Sequence, residues 1–125
     1  MYNVEVRSSE EARAWVNTDI VITKFSATWC RPCKVLHSLI EEESKNPLFD
    51  RVTLLQVDID DEELSSLTEE HEVKNIPHII IHSKLGHKEV VKGNNIDKIK
   101  EIISDMKKTL ETRNIEVEQV LEKDV

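Results

Sequence analysis

The run Ile20-Val21-Ile22-Thr23-Lys24-Phe25 passes through Ser26-Ala27-Thr28-Trp29 directly into Cys30-Arg31-Pro32-Cys33. Its β-branched residues predict a central strand. Beyond the cysteines, Val35, Leu36, Leu39 and Ile40 recur at helical spacing, which predicts a helix from Cys33 to about Lys45. Asn46-Pro47 ends it. Two cysteines separated by two residues therefore sit where a buried strand gives way to a helix. Open α/β sheets place their sites in that location.

The rest of the chain repeats the alternation. Val4 to Val6 is a short strand, and Ser8 or Ser9 caps a helix from Glu10 to Val16 on which Trp15 packs. Val52 to Val57 is a second buried strand, followed by an acidic turn over Asp58 to Asp61. Glu62 to Glu72 is a helix with Leu64 and Leu67 on its apolar side, and Asn75-Ile76-Pro77 breaks the chain. His78 to His82 and Glu89 to Lys92 form a hairpin across Lys84-Leu85-Gly86-His87. After Gly93 a helix shows Ile96, Ile99, Ile102, Ile103 and Met106 on one face. The order β-α-β-α-β-α-β-β-α predicts an α/β fold: a mixed sheet of about five strands, helices on both faces and an antiparallel edge.

At 125 residues the chain fits one domain, placed at 1–108, with a helical C-terminal extension at 109–125. The formal charge of −8 argues against nucleic acid and anionic membrane surfaces as partners. No apolar run is long enough to span a bilayer. Met1 to Glu11 mixes charges with Ser and has no apolar block, so the expected location is the cytoplasm. Thiols stay reduced there, and so short a disulfide loop adds little stability by chain entropy. The pair is expected to serve chemistry.

Helix geometry says which chemistry. Cys30 lies near a helix N-terminus, where unpaired N–H groups and the positive dipole end favour a thiolate. Such settings lower a cysteine pKa from about 8.5 to roughly 3.5–7.5. Arg31 adds a cation, and Pro32 fits a first helical turn that needs no intrahelical N–H. Cys33, expected to be the more buried, would resolve a mixed disulfide.

Phe25-Ser26-Ala27-Thr28-Trp29-Cys30 with Pro32-Cys33-Lys34 resembles the active-site signature of the thioredoxin family. Val57-Asp58-Ile59-Asp60, Ile76-Pro77 and Gly93 fall at family-like places, so the resemblance covers residues 4 to 107. It implies a thioredoxin fold and a protein-disulfide reductase. Cys30 would attack a substrate disulfide, and Cys33 would release the reduced substrate. Pro77 would be a cis-proline facing the sulfurs. Trp29, Ile76, Pro77 and Gly93 would line the substrate surface. Partners would be disulfide-containing client proteins and a thioredoxin reductase or similar electron donor, with no metal and no cofactor.

Three positions depart from the family pattern. Arg31 stands where thioredoxins usually have Gly. If it stabilised the reduced form by about 1.4 kcal/mol, the potential would rise by roughly 30 mV, far short of a strong oxidant. Ser38 replaces a kinking Pro, so a straighter helix is expected. Lys24 takes the place of a buried Asp that serves the second cysteine's proton. Three readings of Lys24 stay open: a desolvated amine that accepts this proton, an ion pair with Asp58, or a side chain reaching solvent.

Rival functions are a binding module of the same fold with secondary redox activity, and a glutathione-coupled enzyme. The residue before Cys30 argues against the second. A zinc site shared with His78 and His82 is not expected, because those residues lie about 13 Å apart along a strand. His78, directly after Pro77, is the histidine to watch near the sulfurs, although a packing role is the simpler reading. His37, His71 and His87 read as surface residues, and Glu41-Glu42-Glu43 as a solvated face.

Overall fold

The structure is a computed structural model that describes residues 1–15 and 18–123, with side chains described through residue 114. Its elements are β1 (Tyr2–Glu5), α1 (Ser9–Ala14), β2 (Ile20–Ser26), α2 (Arg31–Glu43), β3 (Val52–Asp58), α3 (Ser65–Glu70), β4 (His78–Ser83), β5 (Lys88–Lys92) and α4 (Ile96–Lys123). One five-stranded sheet runs in the order β1-β3-β2-β4-β5. β3 pairs in parallel with both β1 and β2. β4 lies antiparallel to β2, and the hairpin partner β5 closes the edge.

Strand alternation builds two cores. Ile20 and Ile22 of β2 join Val52 and Leu54 of β3, Ile79 and Ile81 of β4, Leu36 and Ile40 of α2, and Ile99, Ile103 and Met106 of α4. On the opposite face Val21, Phe25, Leu55, Val57 and Ile80 pack with Leu64 and Leu67. Trp15 is half-buried against this second core and meets Tyr2 at 5.2 Å between ring centroids. Each large aliphatic side chain withdrawn from water contributes about 1.5–3 kcal/mol. The central β2, held between β3 and β4, is therefore the rigid platform of the site.

Several boundaries differ from the sequence expectation. β1 covers Tyr2–Glu5, while Val6 donates its N–H to the Gln56 carbonyl at 2.9 Å just beyond the strand. Ser8 caps α1, accepting the Glu11 N–H at 3.1 Å, and α1 closes at Ala14; Val16 lies outside the described residues. α2 begins at Arg31, two residues before the expected Cys33, because Cys30 acts as its N-cap. Val35 is 44% exposed, since the helix presents Cys33, Leu36 and Ile40 to the core and turns Val35 aside. α2 runs uninterrupted past Ser38, whose hydroxyl donates to the Lys34 carbonyl. The expected Glu62–Glu72 helix is divided. Asp61 caps a 3-10 turn over Glu62–Leu64, Leu64 sits at φ −101°, ψ 4°, and α3 spans only Ser65–Glu70. At the C-terminus α4 passes residues 108 and 109 without a break and provides the expected helical extension.

Candidate functional site

β2 ends at Ser26, and a turn closed by Cys30 N–H donating to the Ala27 carbonyl (3.1 Å) delivers Cys30 to the start of α2. Cys30 caps that helix with its own sulfur, which accepts the Cys33 N–H at 3.2 Å. Pro32 occupies the first turn, where it breaks no helical bond. Cys30 and Cys33 form a disulfide across this turn, with Cα atoms 5.3 Å apart. The two residues are buried almost equally, at 4% and 3% exposure, so burial in the oxidised state does not single out Cys33. Arg31 and Pro32 point outward.

The rim is assembled from distant segments. Ala27, Cys30 and Cys33 make a small apolar cluster on which Ile76 and Ile59 pack. The Ile76–Pro77 peptide bond is cis. Gly93 donates its N–H to the Pro77 carbonyl at 3.1 Å and lies at φ +80°, a backbone region that favours glycine. Trp29 is 67% exposed, and its indole N–H donates to an Asp60 carboxylate oxygen at 2.8 Å. Of the four expected rim residues, Ile76 packs on the cysteine cluster, Pro77 follows it through the cis bond, Gly93 is tied to Pro77, and Trp29 adjoins Cys30 in the chain.

The structure contradicts two of the three readings of Lys24 and is consistent with a desolvated amine. This residue shares a face of β2 with Ile20 and Ile22 and is only 2% exposed, so it does not reach solvent. Nor does it pair with Asp58. That residue stands beside Ser26 in the strand register, is exposed, and accepts the Asp60 N–H in a tight turn. The partner of Lys24 is instead His37 of α2, Nζ to Nδ1 at 2.9 Å, and His37 Nε2 lies 3.0 Å from Glu41. Burial lowers the Lys24 pKa from 10.5 to about 8, with the Glu41 charge opposing the shift.

His37 and Glu41, read from the sequence as surface residues, and Asp60, noted only within a family-like run, join the site through their hydrogen bonds. Cys33, His37 and Glu41 follow one another at four-residue intervals, which puts them on one helix face. That signal was present in the sequence. His78 is buried at the start of β4, edge-on to Phe25 at 5.8 Å, a packing role. Burial first, then Lys92, His71 and Lys88, hold its pKa below 6.5. His82 shares its strand and is shifted the same way by burial, Lys88 and His71. Among the described residues no group of three or more His, Cys, Asp or Glu side chains is placed to hold a metal ion, and no helix is long and apolar enough to cross a membrane.

A disulfide closed across the first turn of a helix, with one sulfur accepting a backbone N–H, is built for exchange: opening it leaves a thiolate that the helix end already favours. The chain is a thiol–disulfide oxidoreductase, and its activity is that of a protein-disulfide reductase. The Thioredoxin family model matches residues 3–108, and the protein belongs to the thioredoxin family. It is 34% identical over 102 residues to thioredoxin of Pongo abelii, covering 78% of this chain and 89% of that protein. Among solved structures it resembles thioredoxin from Trypanosoma brucei brucei, with a TM-score of 0.73, 28% identity and coverage of 84% and 90% of the two chains. Thioredoxin of Malassezia sympodialis gives a TM-score of 0.72 at 26% identity, covering 85% and 94%. Family and cysteine pair together favour the enzyme over the binding module.

Proposed function

We propose that Cys30 is the nucleophile and Cys33 the resolving thiol of a dithiol that reduces disulfides in client proteins. The observation that carries this reading is the Cys30 sulfur at the N-cap of α2, receiving the Cys33 N–H. Reduced Cys30 attacks one sulfur of the client disulfide. A Cys30–client bond forms, the client bond breaks, and one client sulfur leaves as a thiolate. Cys33 then attacks Cys30, restoring the disulfide and releasing the second client sulfur. Two electrons pass from protein to client.

In the same reading Trp29, Ile76, Pro77 and Gly93 receive the extended client segment, while Arg31 and Pro32 tune the pair. The dithiol is restored by a thioredoxin reductase or similar donor in the cytoplasm, as one step of an electron-transfer chain without metal or cofactor. Residues 1–108 suffice for the chemistry, and the segment from residue 109 onward, helical to Lys123, is an appendage. The mixed-disulfide route predicts a sharp asymmetry between the cysteines. In an insulin-reduction assay fed by thioredoxin reductase, Cys30→Ser falls to background, a loss of at least about a hundredfold. Cys33→Ser accumulates a covalent client adduct on Cys30. Wild type that turns over no faster than Cys30→Ser overturns the assignment.

A further inference from the structure

We infer that Lys24, His37 and Glu41 form a proton relay that serves Cys33 during the resolving step, in place of a buried carboxylate. This rests on the reading of Cys33 as the resolving thiol.

Geometry carries the inference. On β2, Ile22 packs in the layer of Leu36 and Ile40, and Ala27 packs with Cys30 and Cys33. Lys24 lies on the Ile22 face, one step nearer the disulfide. From its buried Nζ a continuous chain of hydrogen bonds runs 2.9 Å to His37 Nδ1 and 3.0 Å from His37 Nε2 to Glu41. Side-chain exposure rises along it, to 33% at His37 and 63% at Glu41. One end is buried and the other opens to water. An ammonium has donors only, so Lys24 donates to Nδ1, which makes Nε2–H the donor to Glu41. Each link is therefore poised to pass a proton outward.

Among the described residues, the neighbours of Lys24 on the sheet offer no titrating group. Across the sheet Lys24 stands beside Gln56 of β3, which is neutral and whose amide donates to Asn3, and beside Ile79 of β4. From α2, His37 bonds to Lys24 and the Glu41 charge acts on it, while Cys33 precedes His37 by one turn on the same helix face. With its pKa lowered to about 8, Lys24 holds an appreciable amine fraction near neutral pH. In the resolving step the Cys33 sulfur forms its bond to Cys30 and the Cys30–client bond breaks, its electron pair leaving on the client sulfur. The Cys33 proton passes to the Lys24 amine. Lys24 returns it through His37, whose Nε2 proton moves to Glu41 and on to water. No redox partner beyond the client is needed.

The test uses the reduced full-length protein with Ellman's reagent in stopped flow. The first, bimolecular release of thionitrobenzoate reports Cys30, and the second, concentration-independent release reports Cys33. Wild type is expected to show an inflection near pH 8 in the second phase. Lys24→Met removes that inflection and slows the second phase at neutral pH by at least about tenfold. His37→Gln slows it severalfold, and the double variant is no slower than Lys24→Met alone, as for links of one chain. His37 is partly exposed, so His37→Gln keeps the test open if Lys24→Met fails to fold. Identical second-phase pH profiles in wild type and variants, or additive losses, overturn the relay. Loss of the first phase in wild type instead overturns the role of Cys30, so the two failures are distinguishable.

Discussion

Above the disulfide, the rim is made of Trp29, Ile76, Pro77 and Gly93, residues that match the thioredoxin pattern one for one and are held mostly by backbone geometry and apolar contact. Below it, the layer of Lys24, His37 and Glu41 departs from that pattern and is held by side-chain hydrogen bonds. In the proposed function the rim meets the client, and its shape has to fit an extended peptide whatever the internal chemistry. In the proposed relay the buried layer has only to manage a proton, and a desolvated amine with an exit to solvent meets that requirement as a carboxylate would. Recognition and proton handling are thus separable in this fold.

The largest stability effect is expected from the lower layer. Lys24 titrates at about 8 in the folded protein and at 10.5 when unfolded. Between these values the unfolded state binds more protons, so stability rises with pH across that window. Each pH unit of that window is worth about 1.4 kcal/mol, so below about pH 8 the buried ammonium costs about 3 kcal/mol. Lys24→Met is therefore expected to stabilise the protein by up to about 3 kcal/mol at neutral pH, an advantage that shrinks from pH 8 to 10.5. Urea denaturation at several pH values measures it. A variant less stable than wild type at neutral pH would mean that the lower layer is structural, and the comparison would lose its basis.

A smaller effect is expected at the rim. Gly93 has φ +80°, and a Cβ there would meet no atom within 4 Å. Gly93→Ala thus carries a backbone penalty with no steric one, about 1 kcal/mol. Thermal unfolding should fall by about 4 °C. Because the Gly93 N–H holds the Pro77 carbonyl, kcat/KM for insulin should fall as well, while the resolving step keeps its pH profile. A changed profile would show that rim and lower layer are coupled.

The sequence is most explicit where local pattern and tertiary fate coincide. The β-branched run of Ile20 to Thr23 and the Ile79-Ile80-Ile81 centre became β2 and β4, two of the three inner strands, and the cysteine spacing matched the first turn of a helix. It is silent where a contact joins elements distant along the chain. Lys24 and His37 are thirteen residues apart, and only the packing of α2 across β2 sets one within reach of the other. The Asp58 pairing failed for the same reason: strand register put Asp58 beside Ser26, one pleat beyond Lys24. Val35 misled because an apolar residue at roughly helical spacing still lies about 100° around the axis from Leu36.

The smallest expected effect isolates a side-chain hydrogen bond of the rim. The Trp29 indole N–H donates to Asp60 at 2.8 Å across 31 residues, tying the motif turn to the loop after β3. Both groups are exposed, so water replaces the bond when it is lost, and its net worth is about 0.5 kcal/mol. Trp29→Phe keeps an aromatic face at this position and removes the donor. Stability should fall by about that amount, and kcat/KM for insulin by about twofold, carried in KM. Asp60→Asn retains an acceptor and should restore neither loss when combined with Trp29→Phe, since the donor is gone. If Trp29→Phe instead altered the second phase of the Ellman reaction, the indole would be acting on Cys33 chemistry, and the division between a rim that recognises and a layer that moves protons would fail at its most exposed residue.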